Sequence, residues 1–307
     1  MGTGAGKPTK NRNVSALALE FEQDNKWYLF DCAEATQHQI QKSSLKLSKL
    51  DTIFITHLHG DHVFGIMGLL ASRKMDEVLK PLNIYAPAGI KKFINAVIEV
   101  SKMNLGFELN IVELEKNQKF IFDKFTITTL PLKHSIESFA FHIRENDTTD
   151  KLNEKKLRAI GLEPSPVYGK IKQGKTINHN GKNLNPCEFM LDPIPGKKVI
   201  IAGDNSQPEI LSNFLDNLDL LIHEATYIQK DFDLLTKKVL HTTGKKLAKT
   251  AQKHHVKNLI ATHISARYDI FENPILREIK DIYKYNAYVA NDFDIFYLNK
   301  NLELYRQ

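Results

Sequence analysis

Cysteine is scarce: Cys32 and Cys187 are the two in 307 residues, far apart in the chain. That excludes a disulfide framework as the source of stability and makes a reducing cytoplasm the default setting. Long apolar runs are absent, since nothing approaches the ~20 residues that a membrane-crossing helix needs, and no membrane partner is expected. The stretch Met1–Gly6 has no apolar centre of the kind a secretory signal carries, and Gly6 stands where a myristoylation site wants Ser or Thr. Its glycines match neither G-x-x-x-x-G-K-[ST] nor G-x-G-x-x-G after a strand, so a backbone turn is a better reading than a nucleotide cradle. What remains is an ordinary globular composition, 42% hydrophobic and 25% charged, with a net charge of +6 and a pI near 9.0. Such a mildly basic balance is compatible with a polyanionic partner.

Against this background one stretch is dense in chemistry. Thr52–Thr56 is apolar and β-branched and reads as a buried strand. His57-Leu58-His59-Gly60-Asp61-His62 follows at once, and Val63–Ser72 then carries apolar residues at helical spacing (Val63, Ile66, Met67, Leu70). Three imidazoles and a carboxylate thus sit on a strand-to-helix turn, rigid enough to aim side chains and open enough to admit substrate. Nitrogen and oxygen donors of this kind suit Zn²⁺, and tolerate manganese or iron.

The same arrangement recurs along the chain. A hairpin is expected from Val14–Phe21 and Lys26–Phe30, joined by Glu22–Asn25, and a short helix over Thr36–Ser43. Strands are expected at 84–86, 107–114, 120–130 and 139–143, with a helix at 89–101. The strand ending in Pro131-Leu132-Lys133 delivers His134. Lys198–Ala202 delivers Gly203-Asp204, Leu218–Ile222 delivers His223-Glu224-Ala225-Thr226, and Asn258–Thr262 delivers His263, with Arg267 and Tyr268 just after. Helices are expected at 208–217, 244–254 and 274–283, and short strands near 288–290, 295–298 and 302–305. Strand ends that carry imidazoles and carboxylates imply one rim above packed sheets. Two halves, each with its own sheet and helices, give an α/β fold: an αββα sandwich of two mixed sheets.

Two segments stay open on the residues alone. Pro8-Thr9-Lys10-Asn11-Arg12-Asn13 is a solvated loop or one that holds phosphates. Residues 144–175 break the rhythm of strands: eight cations stand against five anions there, a net +3. This is either a mobile insertion or a protruding basic arm that grips a phosphate backbone.

H-x-H-x-D-H, a later His, a Gly-Asp and a final strand-end His resemble the metallo-β-lactamase superfamily. Further blocks resemble its ribonuclease Z (tRNase Z) branch, short form. Pro8-x-Lys10-x-Arg12-Asn13 is similar to the loop near the substrate 3′ end, and Asp31-Cys32-Ala33-Glu34-Ala35-Thr36-Gln37 to D-C-G-E-G-T-Q. His223–Thr226 matches the HEAT block, His241-Thr242-Thr243 the H-S-T block and Thr262–Tyr268 the terminal block. The insertion, with Gly161-Leu162-x-Pro164-x-Pro166, resembles the flexible tRNA-binding arm. Ala33 and Ala35 stand for glycines, Met67 for a proline, and Asn205 for the Thr of Gly-Asp-Thr. Ser165 interrupts the Pro-Gly-Pro at the arm tip.

The resemblance implies one domain over 1–307 with an arm at 144–175 inserted in it, and a zinc-dependent endoribonuclease that removes the 3′ trailer from precursor tRNA. It implies two Zn²⁺ per chain: His57, His59 and His134 on one, Asp61, His62 and His263 on the other, with Asp204 bridging. Asp61 can also accept a proton from the attacking water. His241, held by Glu224, is the candidate that protonates the ribose 3′ oxygen as it leaves. Lys10, Arg12, Asn13 and Arg267 are expected substrate contacts, and the family habit is a homodimer. The rival readings are a general phosphodiesterase of the same fold and a catalytically weak tRNA-binding paralogue.

Overall fold

Alternation along Ile53-Phe54-Ile55 shows how the layers are built. Ile53 and Ile55 face a cluster with helix residues, while Phe54 points the other way, its ring 5.4 Å from that of Phe141 in the opposite sheet. The computed structural model describes residues 1–22, 24–148, 151–237, 239–269 and 274–307. Gln23 of the expected hairpin connection and Asp150 of the basic insertion lie outside the described residues.

The first sheet and its helices occupy the N-terminal part. In chain order these are β1 (Leu17–Glu20), β2 (Trp27–Phe30), α1 (Thr36–Gln41), β3 (Leu50–Phe54), α2 (Gly60–Val63), α3 (Ile66–Met75), β4 (Leu82–Ala86), α4 (Ile90–Ser101) and β5 (Leu109–Glu113). The strands lie in the order β1-β2-β3-β4-β5, with β1 and β2 antiparallel and β2 to β5 parallel. Helix α3 buries Ile66, Leu69 and Leu70 on one stripe, and α4 buries Ile90 and Ile94, against Leu29, Ile53 and Ile84 of the sheet.

The second sheet is made by β6 (Lys119–Ile121), β7 (Phe125–Pro131), β8 (Phe139–Glu145), β11 (Lys198–Ala202), β12 (Leu220–Glu224), β13 (Asn258–Thr262) and β14 (Asn286–Val289), in the order β14-β13-β12-β11-β8-β7-β6. Strands β11 to β14 are parallel. Helices α9 (Gly244–Lys253) and α10 (Pro274–Ile282) cover it through Leu247, Ala248, Ala251, Ile275 and Ile279. Phe30, Phe54 and Tyr85 meet Phe141 and Phe120 between the sheets, with ring separations of 4.8–5.5 Å. The αββα order expected from the sequence is therefore the order observed.

Three local expectations are corrected. The single strand expected at 120–130 is a hairpin, β6 and β7, because Phe122-Asp123-Lys124 turns and the Phe122 N–H bonds the Phe125 carbonyl at 2.9 Å. Residues 208–217 form a 3₁₀ turn (Pro208–Leu211) and then α7 (Ser212–Leu215) rather than one helix. The helix expected from Val63 begins at Gly60 and breaks after Val63. The carbonyls of Asp61 and His62 are taken by the Ser15 and Cys32 amides at 3.1 and 2.8 Å, so the ladder between α2 and α3 is not continued. Gly65 is required there, since a Cβ would lie 1.7 Å from the Ala33 carbonyl oxygen.

The chain divides into two compact units, one made of 1–121, 127–143 and 198–307, the other of 122–126 and 144–197. The second holds α5 (Glu154–Ala159), α6 (Pro166–Lys172) and a hairpin of β9 (Ile177–His179) and β10 (Lys182–Leu184). Its small core is Leu152, Leu157, Leu162, Ile171, Ile177 and Phe189. Ile177 and Phe189 supply part of that core, which is why this unit runs past Lys175. Lys155, Arg158, Lys170, Lys172 and Lys175 are all exposed on it. The remaining elements are α8 (Gln229–Asp233), which buries no residue and had no sequence signal, and a terminal hairpin of β15 (Phe296–Leu298) and β16 (Leu304–Arg306).

Candidate metal centre

Parallel strands end at a common edge, and that edge is where the polar side chains gather. Strand β2 ends at Asp31, β3 leads to Thr56 and His57, β11 to Asp204, β12 to Glu224 and β13 to His263. The two sheets approach closely here. The Phe139 amide bonds the Thr56 carbonyl at 2.9 Å, and a Cβ on Gly203 would stand 2.5 Å from the Thr56 Cβ. Asp31 and His263 hold left-handed backbone, with φ of 58° and 56°. Such conformations cost a non-glycine residue ~1–3 kcal/mol and persist where the surroundings over-determine them.

All seven expected ligands converge. His57 Nε2 and His134 Nε2 each lie 3.1 Å from His59 Nδ1, and both are 3.8 Å from Asp204 Oδ2. On the other side, His62 Nε2 and His263 Nε2 are 3.3 Å apart, with Asp61 Oδ2 at 3.7 and 3.4 Å and Asp204 Oδ1 at 3.5 and 3.3 Å. The two oxygens of Asp204 thus face two different sets of donors. Tetrahedral ligands held ~2.0–2.1 Å from a zinc ion stand ~3.3 Å from one another, so both sets have the spacing that a small cation requires.

The outer hydrogen bonds say which nitrogens carry protons. His62 Nδ1 donates to Asp31 Oδ2 at 2.7 Å, and His134 Nδ1 donates to the Leu240 carbonyl at 3.0 Å. Thr56 Oγ1 donates to Asp31 Oδ2 at 2.9 Å and so accepts from His57 Nδ1 at 3.0 Å. Thr226 Oγ1 donates to Glu224 Oε2 at 2.5 Å and so accepts from His263 Nδ1 at 3.0 Å. Four imidazoles therefore have their Nδ1 protons committed outward and their Nε2 lone pairs aimed at each other. The Nε2 atoms of His62 and His263 are 3.3 Å apart, close enough to repel unless a cation lies between them, either a metal ion or the proton that His62 holds without one. The residues present fit a metal, and the chain has a metal-binding site. Burial pushes the His57 pKa well down, with the neighbouring histidines adding to it. Burial also lowers that of His62, but the charges of Asp31 and Asp204 outweigh this and raise it to about 9. For Asp61, burial raises the pKa, yet His263 and the Gly6 N–H, which donates to Asp61 Oδ2 at 2.7 Å, pull it below the usual carboxylate range.

His241 stands beside this centre. Its Nδ1 is 3.2 and 3.3 Å from the two oxygens of the buried Glu224 and 3.6 Å from Asp204 Oδ2. Because Nδ1 is held by Glu224, Nε2 is the free ring nitrogen on the cleft that His241 lines. Glu224 is fixed in turn by the Asn205 amide at 2.6 Å, and the Thr242 hydroxyl bonds the Asn205 carbonyl. Burial lowers the His241 pKa, but the charge and hydrogen bond of Glu224 raise it to about 9, while the same pairing holds Glu224 down near 2. The open cleft above these groups has a volume of about 460 Å³ and is also lined by Ala5, Gly6, Tyr227 and Leu240.

Two curated relatives cover nearly the whole chain. Ribonuclease Z of Bacillus velezensis is 40% identical over 298 residues, 95% of this chain and 96% of the relative. That of Enterococcus faecalis is 41% identical over 298 residues, 96% of this chain and 95% of the relative. The chain belongs to the ribonuclease Z family. Its first half, residues 1–157, also belongs to the family whose model is described as Anti-Pycsar protein Apyc1. Among solved structures, human tRNase Z, short form, is 28% identical with a TM-score of 0.66, covering 95% of both chains. The metallo-β-lactamase fold protein YhfI of Bacillus subtilis, 18% identical with a TM-score of 0.65, has the same fold, covering 95% of this chain and 94% of its own. The expectation of a tRNA-processing nuclease of the metallo-β-lactamase fold is met at the level of the family.

Not every expected contact of the ribonuclease Z reading is on the open rim. Lys10 and Arg267 are exposed, and Asn13 is half-buried with its Nδ2 on the Glu34 carbonyl at 2.9 Å. Arg12 is only 5% exposed. Its guanidinium donates to Thr3 Oγ1, the Ala290 carbonyl and Asn291 Oδ1 at 2.6–2.7 Å, which ties the N-terminal loop to the end of β14. That corrects the expectation of a free phosphate contact, because burial commits these donors to the protein. Sequence reasoning missed Asp31, Thr56 and Thr226, which orient the imidazoles. For Asp31 a signal existed: it is one more acid at a strand end, within the block that resembles D-C-G-E-G-T-Q. Asn205, a departure from the family pattern, is fully buried and bonds His223 Nε2 at 3.0 Å, so His223 is a supporting residue.

Proposed function

We propose that this chain is a two-zinc endoribonuclease that removes the 3′ trailer from precursor tRNA, leaving a 3′-hydroxyl on the tRNA and a 5′-phosphate on the trailer. The observation that carries the reading is Asp204, whose two oxygens face the two donor sets while His241, held by Glu224, stands 3.6 Å away. His57, His59 and His134 would hold one ion, Asp61, His62 and His263 the other, and Asp204 both. When bound, the two ions supply Lewis-acid chemistry: they offset charge developing on the phosphate and make water a better nucleophile at neutral pH. Asp61, oriented by the Gly6 N–H, accepts the proton of the attacking water on its carboxylate. His241, kept protonated by Glu224, delivers the proton on Nε2 to the departing ribose 3′ oxygen.

The second unit, with its exposed lysines, is assigned to the arm that grips the tRNA backbone, and Lys10, Asn13 and Arg267 to the 3′-end contacts. A homodimer and a cytoplasmic location complete this reading. Among the described residues no helix is long and apolar enough to cross a membrane. A second reading is a phosphodiesterase of the same fold acting on another substrate, since residues 1–157 also match the Apyc1 model. That segment contains five of the expected ligands but neither Glu224 nor His241.

One assay separates the two. The purified protein is given a 3′-extended precursor tRNA, with and without chelator, and the product ends are mapped. A single chelator-sensitive cut after the discriminator nucleotide, leaving a 3′-hydroxyl, is expected. Hydrolysis of bis(p-nitrophenyl) phosphate with no cut in the tRNA overturns the tRNA assignment and leaves the phosphodiesterase.

A further inference from the structure

Among the described residues Tyr227 is the one Phe, Tyr or Trp in the lining of the cleft, and the metal centre does not use it. Its backbone is fixed: the carbonyl accepts from the Gly244 amide at 2.9 Å, and residue 227 bridges Thr243. The ring is half-buried, its centroid 6.3 Å from that of His241 and 6.0 Å from that of Phe232. The exposed guanidinium of Arg267 lies over it, 5.3 Å from the centroid. A planar cation over a fixed aromatic ring is a recurrent platform for nucleobases, which stack on either surface whatever their identity. The rest of the lining near the metal centre is mainly polar or charged, so this corner differs in kind from the part that handles the phosphate.

We infer that Tyr227 and Arg267 form a base-stacking subsite for the nucleotide whose 3′ oxygen leaves at His241. The inference rests on the endoribonuclease reading for the role of His241. If His241 protonates that oxygen, the base of the same nucleotide is one ribose away, and the two rings are 6.3 Å apart. That nucleotide is the one left at the 3′ end of the product. Val239 and Leu240, which line the same cleft, give the site an apolar wall. A stacking subsite of this kind is tolerant of base identity, because affinity comes from the ring face and no hydrogen-bonding edge is read.

The test uses a precursor tRNA with either a normal or an abasic discriminator nucleotide. Base–aromatic stacking energies correspond to a loss of about 5- to 150-fold when the ring is removed. Tyr227→Ala is expected to lose that much in kcat/KM on the normal substrate, chiefly in KM, and to lose nothing further on the abasic one. Tyr227→Phe, which keeps the ring, restores the wild-type behaviour. A wild-type enzyme indifferent to the missing base, or an equal loss by Tyr227→Ala on both substrates, overturns the inference. A second measurement needs no cleavage: 2-aminopurine at the discriminator position, bound in the presence of chelator. Stacking quenches its fluorescence in the wild type and in Tyr227→Phe but not in Tyr227→Ala. Quenching without any cleavage leaves the subsite standing and removes the endoribonuclease reading; an absence of quenching removes the subsite.

Discussion

Replacing Asp31 by Asn tests whether the donor set is built from outside in. The Asp31 carboxylate is 6% exposed and accepts three hydrogen bonds, from the Thr56 amide at 2.8 Å, the Thr56 hydroxyl at 2.9 Å and His62 Nδ1 at 2.7 Å. An Asn of the same shape keeps one oxygen for the Thr56 amide but turns an NH₂ toward His62. Two donors then face each other, and His62 relieves the conflict by moving its proton to Nε2, the nitrogen that points at Asp61, Asp204 and His263. A protonated Nε2 cannot bind metal. Outer partners of ligating histidines are worth ~10- to 100-fold in metal affinity, or ~1.4–2.8 kcal/mol at ~1.4 kcal/mol per tenfold. Thr56 Oγ1 has two lone pairs and goes on accepting from His57 Nδ1, so the His57–His59–His134 set keeps its orientation. A titration of zinc against a chromophoric chelator is expected to show one site weakened by that factor and the other unchanged. Unfolding of the metal-free variant, followed in parallel, controls for global damage. Two sites of wild-type affinity in a folded Asp31→Asn protein would refute the reasoning.

Glu224→Gln and His241→Ala are each expected to lower kcat on precursor tRNA by ~10²–10⁴, the usual worth of a positioned acid, with zinc content by elemental analysis unchanged. A proportional loss of metal would make these residues ligands or supports instead. Ala35 is exposed and left-handed, with φ of 58°. An L-residue there costs ~1–2 kcal/mol against ~0.5–1 kcal/mol of extra chain entropy for glycine. Ala35→Gly is therefore expected to raise stability in urea by ~0.5–1 kcal/mol, and a lower midpoint would contradict it. Replacing Lys155, Lys170 and Lys172 together by Gln is expected to weaken tRNA binding and flatten its salt dependence, by roughly 0.7–0.9 in log–log slope for each lost phosphate contact. Hydrolysis of bis(p-nitrophenyl) phosphate should not change; an unaltered salt slope would remove the arm assignment.

Local sequence pattern accounts for the layers and for which side-chain donors gather at the centre. The unbroken apolar run Ile53-Phe54-Ile55 and the helical spacing of Val63, Ile66, Met67 and Leu70 are local patterns, and they mark a buried strand and a helix with one apolar stripe. The H-x-H-x-D-H run is equally local: six residues carry four of the seven donors, and their types alone indicate a small cation. The later His134, Asp204 and His263 were legible because each follows an apolar strand, and the ends of parallel strands share an edge.

Whatever depends on a partner remote in the chain is set by the assembled fold. The break after Val63 follows from amides at Ser15 and Cys32 that capture the carbonyls of Asp61 and His62, and no spacing rule within the helix contains that competition. The split of Asp204 between two donor sets, and the direction of each imidazole proton, depend on Asp31, Thr56, Thr226 and Leu240. Arg12 shows the same limit from the other side. A cation in a polar loop looks available from the sequence, but Thr3, Ala290 and Asn291 close around it once the last strand of the second sheet is in place. Burial and hydrogen-bond partnership are properties of the folded chain, set by which strand ends meet, and that is where the chemistry of this centre is fixed.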